Sequence, residues 1–333
     1  PAKLDHRLSS QICGACHSVR SVKAESRERP HHEPGLAITN HYNMVQAPRE
    51  WMIPLMEANP EKYPRPEDLD PSYDSHFWWD GMIRTSSREY DGLIQSACHT
   101  KGEMSCISCH ALHKPSTDKR PMKEWANDQL HPDSFGDQAC LNCHDSKTYS
   151  AAAHTHHLPN STGSLCYNCH MPHTSYGLLK AIRSHTITSP TVIETLEVGR
   201  PNACNLCHLD KTLEWTGTHL ADWYGHEKPS FEDSQKAVSS AVLMALEGDA
   251  GQRAIIVCAM SWTPAVQASH GTNWIPPILS RLLHDPYEAV RYAAGHSLST
   301  YPGFTSLNYD FLAAKPALTN AAISTHRIWA ESK

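Results

Sequence analysis

Long apolar runs are missing from this chain of 333 residues: it has no stretch of eighteen or more apolar residues, which excludes a membrane-spanning helix within the sequence. A basic excess is missing too, because 29 Lys and Arg stand against 35 Asp and Glu, and no basic cluster stands out. The net charge of −6 therefore gives no argument for nucleic-acid binding. The first residues, Pro1-Ala-Lys-Leu-Asp5, do not form a secretion signal.

The first 208 residues are also short of apolar periodicity. They are rich in His, Pro and irregular polar sequence, and few apolar residues recur at the spacing of a helix face. Amino acids alone would build only a thin core here, so we expect a bound group to fill it. From about residue 231 helical periodicity begins. We therefore predict two domains, residues 1–228 and 229–333.

Cysteine and histidine are abundant instead, and most of the cysteines fall in one repeated pattern. The pentapeptide Cys-x-x-Cys-His accounts for ten of the twelve cysteines, whereas chance at this composition would give roughly 0.03 copies. Its five copies, named here the first to the fifth motif, are Cys13–His17, Cys106–His110, Cys140–His144, Cys166–His170 and Cys204–His208.

This pattern is the attachment signature of c-type haem. Two thiols form thioethers to the porphyrin vinyl groups, and the adjoining imidazole binds the iron from the proximal side. We therefore expect five covalently bound haem c groups. The attaching residues would be Cys13, Cys16, Cys106, Cys109, Cys140, Cys143, Cys166, Cys169, Cys204 and Cys207, and the proximal ligands His17, His110, His144, His170 and His208.

Two other interpretations of the cysteines are weaker. A zinc ribbon also uses Cys-x-x-Cys, but it takes its remaining ligands from a distant pair and not from a histidine fused to the second cysteine. A disulfide framework suits a shorter secreted chain and leaves the five adjoining histidines unexplained.

Two cysteines lie outside the five motifs. Cys98 stands in Gln95-Ser-Ala-Cys98-His99, which looks like a haem site without its first thiol, and Cys258 has no such surroundings. A sixth haem held by a single thioether at Cys98 is one interpretation. The other is that both residues are ordinary buried thiols.

Each iron needs a second axial ligand or an open position, and the 24 histidines less the five proximal ones leave nineteen to choose from. The residues selected as distal candidates are His41, His113, His154, His157 and His185. His113 and His173 each follow a proximal histidine by three residues. That spacing would direct the second ring towards a neighbouring haem, although either could instead be a surface histidine.

The stretch from the fourth motif resembles the pentahaem cytochrome c nitrite reductases. It reads Cys-Tyr-Asn-Cys-His-Met171-Pro172, followed by Ser184-His185-Thr-Ile187-Thr-Ser-Pro190 and then the fifth motif. The resemblance covers roughly residues 100–210 and extends to the wider group that includes hydroxylamine oxidoreductase and its tetrahaem electron acceptor. It implies that His185 is an axial ligand, and it places ligand histidines in the cluster His154-Thr-His156-His157.

One departure from that family changes the expected function. The nitrite reductases usually hold the catalytic haem by Cys-x-x-Cys-Lys, whereas all five motifs here end in His. Nitrite reduction is therefore the weaker prediction. If one iron has an open face, Arg84 and Tyr90, with Glu89, are the candidate catalytic residues beside it. The alternative is that Trp78 and Trp79 pack on porphyrin while Arg84 pairs with a propionate.

The last hundred residues carry the signals of paired helices. Ala237, Val238, Ala241, Val242, Ala245 and Leu246 form one apolar stripe, and Ile278, Leu279, Leu282 and Leu283 form another. Asp249 with Gln252, and Asp285-Pro286 with Glu288, predict capped helix starts.

The segment from Asp285 to Ala294 resembles the second helix of a HEAT repeat, so residues 231–333 are expected to form two to three such pairs. An array this short needs a neighbour: either it docks on the haem domain, or the natural protein continues beyond it. The expected fold class is mainly α: a multihaem cytochrome c domain with little regular β structure, followed by an α-helical HEAT-like repeat domain.

The expected function is electron transfer between redox proteins outside the cytoplasm. A set of bis-histidine haems would exchange electrons without binding substrate, and the acidic surface and helical repeat would guide redox partners. Because covalent haem is attached outside the cytoplasm in prokaryotes, we expect a periplasmic or extracellular protein whose export signal has been removed.

Two alternatives stay open. One is a multihaem oxidoreductase that acts on a small nitrogen or sulfur oxyanion at an open iron. The other is a homo-oligomeric extracellular filament in which His6 ligates a neighbour's haem.

Overall fold

The computed structural model describes residues 2–27, 32–45 and 75–332. Regular structure in these ranges is mostly helical, and the strands form two antiparallel pairs, so the prediction of a mainly α protein is confirmed. None of the helices described has both the length and the apolar composition needed to cross a bilayer.

The chain divides into two compact units. The first consists of Pro1–Met171 and Ser184–Ser189, and the second of Pro172–Arg183 and Pro190–Lys333. The boundary predicted between residues 228 and 229 rests on a change of composition. The packing groups residues 190–228 with the helices that follow them, so the fifth motif lies in the second unit.

The first unit is built from short elements. Strands β1 (Arg20–Val22) and β2 (Tyr42–Met44) pair in antiparallel register, with Ser21 opposite Asn43. Among the described residues its helices are α1 (His6–Gly14), α2 (Glu89–Leu93), α3 (Ala97–Thr100), α4 (Met122–Asp128), α5 (Gln138–Leu141), α6 (Ser146–Tyr149), α7 (Ala152–Thr155) and α8 (Cys166–His170). Five further 3₁₀ turns are Ala24–Ser26, Ile38–Asn40, Cys106–Ser108, Pro132–Ser134 and Thr162–Ser164.

Apolar packing in the first unit is correspondingly local. Val19, Phe77 and Ile83 form a buried cluster, and the partly buried Val45 packs against it. Most of the motif cysteines lie near the surface, and Cys16 and Cys143 are exposed. The conformation of the motifs therefore depends on hydrogen bonds and turns more than on a continuous apolar core.

The second unit has longer helices and a dense core. Strands β3 (His173–Gly177) and β4 (Lys180–Arg183) form a hairpin, and both pack against α14. The helices are α9 (Ile193–Val198), α10 (Ala203–Cys207), α11 (Leu213–Tyr224), α12 (Asp233–Ala237), α13 (Ser240–Glu247), α14 (Ala250–Ala259), α15 (Thr263–Ala268), α16 (Ile275–Leu282), α17 (Glu288–Leu298) and α18 (Lys315–Glu331).

Helix α14 lies at the centre of this core. Ile255, Ile256 and Val257 are almost completely buried, and the helix contacts α13 and α17. Its predicted start is confirmed, because the Asp249 carboxylate accepts from the Gln252 amide while the Gln252 side chain accepts from the Asp249 amide. Helix α16 buries Leu279 and Leu282, as its apolar stripe predicts.

Two sequence predictions in this unit are wrong in detail. The stripe that begins at Ala237 is not one helix: α12 ends at Ala237, Val238 is extended, α13 begins at Ser240, and Leu246 is exposed. The helix expected to start at Asp285 starts instead at Glu288. Asp285 accepts from the Tyr287 amide, but its main partner is a distant arginine and not its own helix.

That arginine is Arg253 in α14. It donates from Nε to Asp285 Oδ2 over 2.7 Å and from Nη2 to Oδ1 over 3.0 Å, and the Asp285 side chain is only 4% exposed. A buried bidentate pair between segments 32 residues apart fixes the start of α17 against α14. Loss of one partner would leave an uncompensated buried charge.

We therefore expect Asp285→Asn to lower the free energy of unfolding by about 3 kcal/mol. The matched control is Glu288→Gln, which breaks a pair with Arg291 in which the Glu288 side chain is 56% exposed. That change should cost less than about 1 kcal/mol. Guanidinium unfolding of both variants measures the difference, and equal losses would contradict the role given to the buried pair.

Candidate functional site

Each of the five Cys-x-x-Cys-His motifs is folded as a single helical turn. The backbone N–H of the histidine donates to the carbonyl of the first cysteine in the first, second, third and fifth motifs, over 2.7–3.0 Å. In the fourth motif the same five residues form α8. Residues i, i+3 and i+4 share one face of such a turn. Both thiols and the imidazole of a motif therefore lie on the same side, as attachment to one flat group requires.

Three motif histidines have Nδ1 held by an oxygen acceptor. His17 Nδ1 bonds Glu89 Oε2 over 2.9 Å, His110 Nδ1 donates to the Asp128 carbonyl over 2.9 Å, and His170 Nδ1 donates to the Thr188 carbonyl over 3.0 Å. Metal-bound histidines usually donate the other ring N–H in this way, which fixes the tautomer and the ring orientation. In each case Nε2 would be the nitrogen that could bind a metal.

Two motif histidines face a second imidazole. The rings of His110 and His185 have centroids 6.2 Å apart and planes 18° apart, and those of His154 and His170 have centroids 6.2 Å and planes 4° apart. A histidine nitrogen lies about 2 Å from a bound metal and roughly 1.2 Å from its own ring centre, so imidazoles on opposite sides of one iron have centres about 6.3 Å apart. Both pairs fit that spacing.

Burial also favours the neutral form of His110 and His170. It lowers the pKa of His110 and of His170, although backbone acceptors oppose the shift. A neutral imidazole is the form that binds a metal. The distal candidates His185 and His154 thus lie opposite the second and the fourth motif respectively, a pairing that the sequence did not specify.

The segment that carries His185 is fixed by α2 and the residues after it. Ser96 Oγ donates to the His185 carbonyl over 2.8 Å and accepts from the Ile187 amide over 2.9 Å. Gly92 allows close approach, because a Cβ there would lie 2.8 Å from the Thr186 nitrogen. The Ser96 hydroxyl and the close approach of Gly92 therefore fix the position of the backbone that carries His185.

The same helix α2 binds the first motif through three consecutive residues. Glu89 bonds the His17 ring, the Tyr90 amide donates to the His17 carbonyl over 3.0 Å, and Asp91 Oδ2 accepts from the Val19 amide over 2.8 Å. The Tyr90 ring packs so closely on Gly14 that a Cβ there would lie 2.8 Å from it. The turn of the first motif is thereby held on one side.

Three ionisable groups in this contact, Glu89, His17 and Asp91, have shifted pKa values. Burial would raise the pKa of Glu89, but the hydrogen bonds from His17 and Ser87 lower it to about 2. The hydrogen bond to Glu89 raises the pKa of His17. Asp91 is almost fully buried, and burial raises its pKa from 3.8 to about 7.

The four motifs of the first unit follow one another in space. The Cys106 thiol donates to the Cys13 sulfur, which lowers the pKa of Cys13 to about 6, and Cys140 and Cys166 form a similar contact. Cys109 is close enough to Cys140 to interact electrostatically. The first motif thus meets the second, the second approaches the third, and the third meets the fourth.

An aromatic row also connects the third and fourth motifs. The His144 ring lies 5.1 Å from Tyr149, which lies 5.3 Å from His154, the residue that faces His170. Sequence reasoning missed Tyr149. Its position five residues after the histidine of the third motif was the available signal.

The remaining predicted residues take other positions. His41 shares a hydrogen bond with Ser26 Oγ over 3.3 Å, and His113 is exposed. His157 Nδ1 donates to the Thr155 carbonyl over 2.6 Å, and its ring covers Gly163 so closely that a Cβ there would lie 2.1 Å away. Arg84 lies over the Trp78 ring at 4.3 Å. Tyr90 is buried beneath the first motif.

His99, next to Cys98, is a buried histidine. Its Nδ1 donates to the Met104 carbonyl over 2.7 Å, and its ring meets that of His6 edge to face at 5.0 Å. The degenerate motif around Cys98 drew attention to this position. His99 therefore has the same kind of Nδ1 acceptor as His110 and His170.

The fifth motif has its own surroundings in the second unit. Asn202 caps α10 by accepting from the Asn205 amide, and the Asn205 side chain accepts from Thr216 and from Asn202. A row of rings leads from His208 along α11: Trp215 at 5.1 Å, then His219 at 4.2 Å, then Trp223 at 4.6 Å. Trp215, His219 and Trp223 are four residues apart, a spacing that places their rings on one face of the helix and that was visible in the sequence.

Within residues 2–27, 32–45 and 75–332, no three His, Cys, Asp or Glu side chains converge as a cage for a bare metal ion. The pairs of imidazoles suit a different group. A haem iron takes four ligands from its porphyrin and needs only one or two from the protein. The donor set of the motifs, two thiols and an imidazole on one face, fits that group.

The buried Asp91 beside the first motif predicts a pH effect. The folded protein favours the neutral carboxyl, so its contribution to stability is greatest below the ordinary pKa and is lost as the pH rises through about 7. Wild type should therefore lose on the order of 3 kcal/mol relative to Asp91→Asn between about pH 4 and about pH 8. Denaturant unfolding at both pH values measures this, and a pH-independent difference would contradict it.

Comparison with known proteins gives no further assignment. No protein-family model, no curated protein and no solved structure matches the chain.

Proposed function

We propose that the chain binds five haem c groups covalently and acts as an electron-transfer protein. The observation that supports this best is the pairing of imidazoles 6.2 Å apart at the second and the fourth motif. Bound haem would supply one-electron chemistry by cycling between Fe(III) and Fe(II). Two axial imidazoles leave no position for a substrate, which favours electron exchange over catalysis at those sites.

The residues of this chain would hold each group in a fixed position. The two thiols of a motif attach the porphyrin edge, and the turn between them directs the proximal imidazole towards its centre. Oxygen acceptors on Nδ1 fix the plane of the ring at His17, His110 and His170. At the second and fourth sites, His185 and His154 would supply a second imidazole to the group.

The order of the motifs supports a relay. Thiol contacts join the first motif to the second and the third to the fourth, and Cys109 and Cys140 bring the middle two together. Groups attached at adjoining thiols would lie close to each other. Short separations between successive redox groups are what a relay needs.

The proposed location and partners follow from the same chemistry. Covalent attachment of haem takes place outside the cytoplasm in prokaryotes, so the protein would act in the periplasm or at the cell exterior. Its partners would be redox proteins, guided by charge complementarity. The helices from α13 onward, with their HEAT-like segment at Asp285, would offer a surface for such a partner.

The first experiment is the mass of the denatured protein. We expect the polypeptide to carry five haem masses, and Cys204→Ala with Cys207→Ala to remove one of them, because both thioethers of the fifth motif are then lost. Cys258→Ala is the matched control and should leave all five. A denatured chain that weighs no more than its amino acids would overturn the proposal.

The second experiment tests the axial pairs. His185→Ala and His154→Ala should each convert one haem of five from low spin to high spin, because the iron loses a strong-field ligand. Low-temperature electron paramagnetic resonance measures the high-spin fraction. His284→Ala, at an exposed position of the second unit, is the control. Spectra of the two variants that match wild type would show that these residues are not ligands.

A further inference from the structure

Three of the histidines proposed as proximal ligands in the first unit differ in what accepts from Nδ1. His110 and His170 donate to backbone carbonyls, whereas His17 bonds the carboxylate of Glu89. A hydrogen bond to an ionised acceptor is roughly twice as strong as a neutral one. It draws the ring proton towards the carboxylate, so the imidazole becomes the more basic donor to a metal.

Several contacts hold Glu89 in that position. Its second oxygen, Oε1, accepts from the Ser87 amide over 2.7 Å, and Ser87 has a left-handed φ of +64°. A serine held in this strained region indicates that its surroundings fix the turn. The Tyr90 and Asp91 contacts with the first motif then fix α2 from the other side.

The first motif is also more exposed than the second. The His17 side chain is 54% exposed, and Cys16 is exposed, whereas His110, Cys106 and Cys109 are partly buried. Solvent stabilises the more highly charged state of an iron, which is Fe(III) when the ligands are equal. The exposure of His17 and the carboxylate acceptor should therefore both lower the reduction potential of a haem at the first motif.

We propose that Glu89 is a positioning residue that makes the first haem lower in potential than the second, through its charge-assisted hydrogen bond to the proximal His17. This inference rests on the proposed function, since it concerns a haem bound at the first motif. Electrons run from low to high potential, so the first motif becomes the end of the relay at which they enter. A partner that donates electrons would dock there.

The carboxylate acts at more than one site. Glu89 is close enough to His110 and His185 for electrostatic interaction with both. Its charge should therefore lower the potential of the second haem as well, but by less, because the direct hydrogen bond of Glu89 is to His17. Removal of the Glu89 charge should therefore raise the potential of the first haem by a large amount and that of the second haem by a small amount.

The experiment is a potentiometric titration of the haem-loaded protein. Glu89→Gln keeps an oxygen acceptor but removes the charge, and it should raise one midpoint potential by at least a tenfold change in the reduction equilibrium, about 59 mV for one electron. The low-spin resonance of that haem should move with it. Glu89→Asp keeps the charge and should give a smaller shift, which also covers the case in which the glutamine variant does not fold.

Glu103→Gln is the matched control, because it removes an exposed carboxylate from the same unit. In this control, each of the five midpoint potentials should change by only a small fraction of the shift expected for Glu89→Gln. Equal shifts in the two variants, or unchanged potentials in Glu89→Gln with five haems present by mass, would overturn the inference alone. Absence of haem from the mass of wild type would overturn the proposed function and this inference together.

Discussion

The motifs depend on one hydrogen bond, from the amide of the histidine to the carbonyl of the first cysteine four residues earlier. It closes a single turn in the first, second, third and fifth motifs, and α8 achieves the same geometry in the fourth. Without that turn, three side chains of different length would point in different directions. Because the first unit has little apolar packing around the motifs, this local hydrogen bond is what keeps the two thiols and the imidazole on one side of the turn.

A second constraint operates over longer distances. The residues of α2 and Ser96 hold both the first motif and the segment around His185, although these two parts are far apart in sequence. Tyr90 on Gly14 and Gly92 against Thr186 show how close the backbones come. A short helix and Ser96 thereby fix the relative positions of His17 and His185, the two histidines proposed as ligands at different motifs.

The sequence predicted interactions between residues that are close together in the chain and missed interactions between residues that are far apart. The five turns and the cap at Asp249 follow from spacing alone, because the interacting groups are three or four residues apart. Asp285 has the same local signature, yet Arg253 competes successfully for its carboxylate. The family resemblance implied that His185 is a ligand, but the ring that it faces, His110, lies 75 positions earlier, and only the fold brings the two rings together. For the same reason the contact of Glu89 with His17 could not be anticipated.

The contact between Cys13 and Cys106 has a consequence for how the protein matures. A thiol with a lowered pKa beside a second thiol is the arrangement from which sulfur bridges form most readily. If the polypeptide is exported to an oxidising compartment, as proposed, these two sulfurs could join and block two attachment sites at once. Under the proposed function, assembly would then need a reductant that keeps both thiols free until porphyrin is attached.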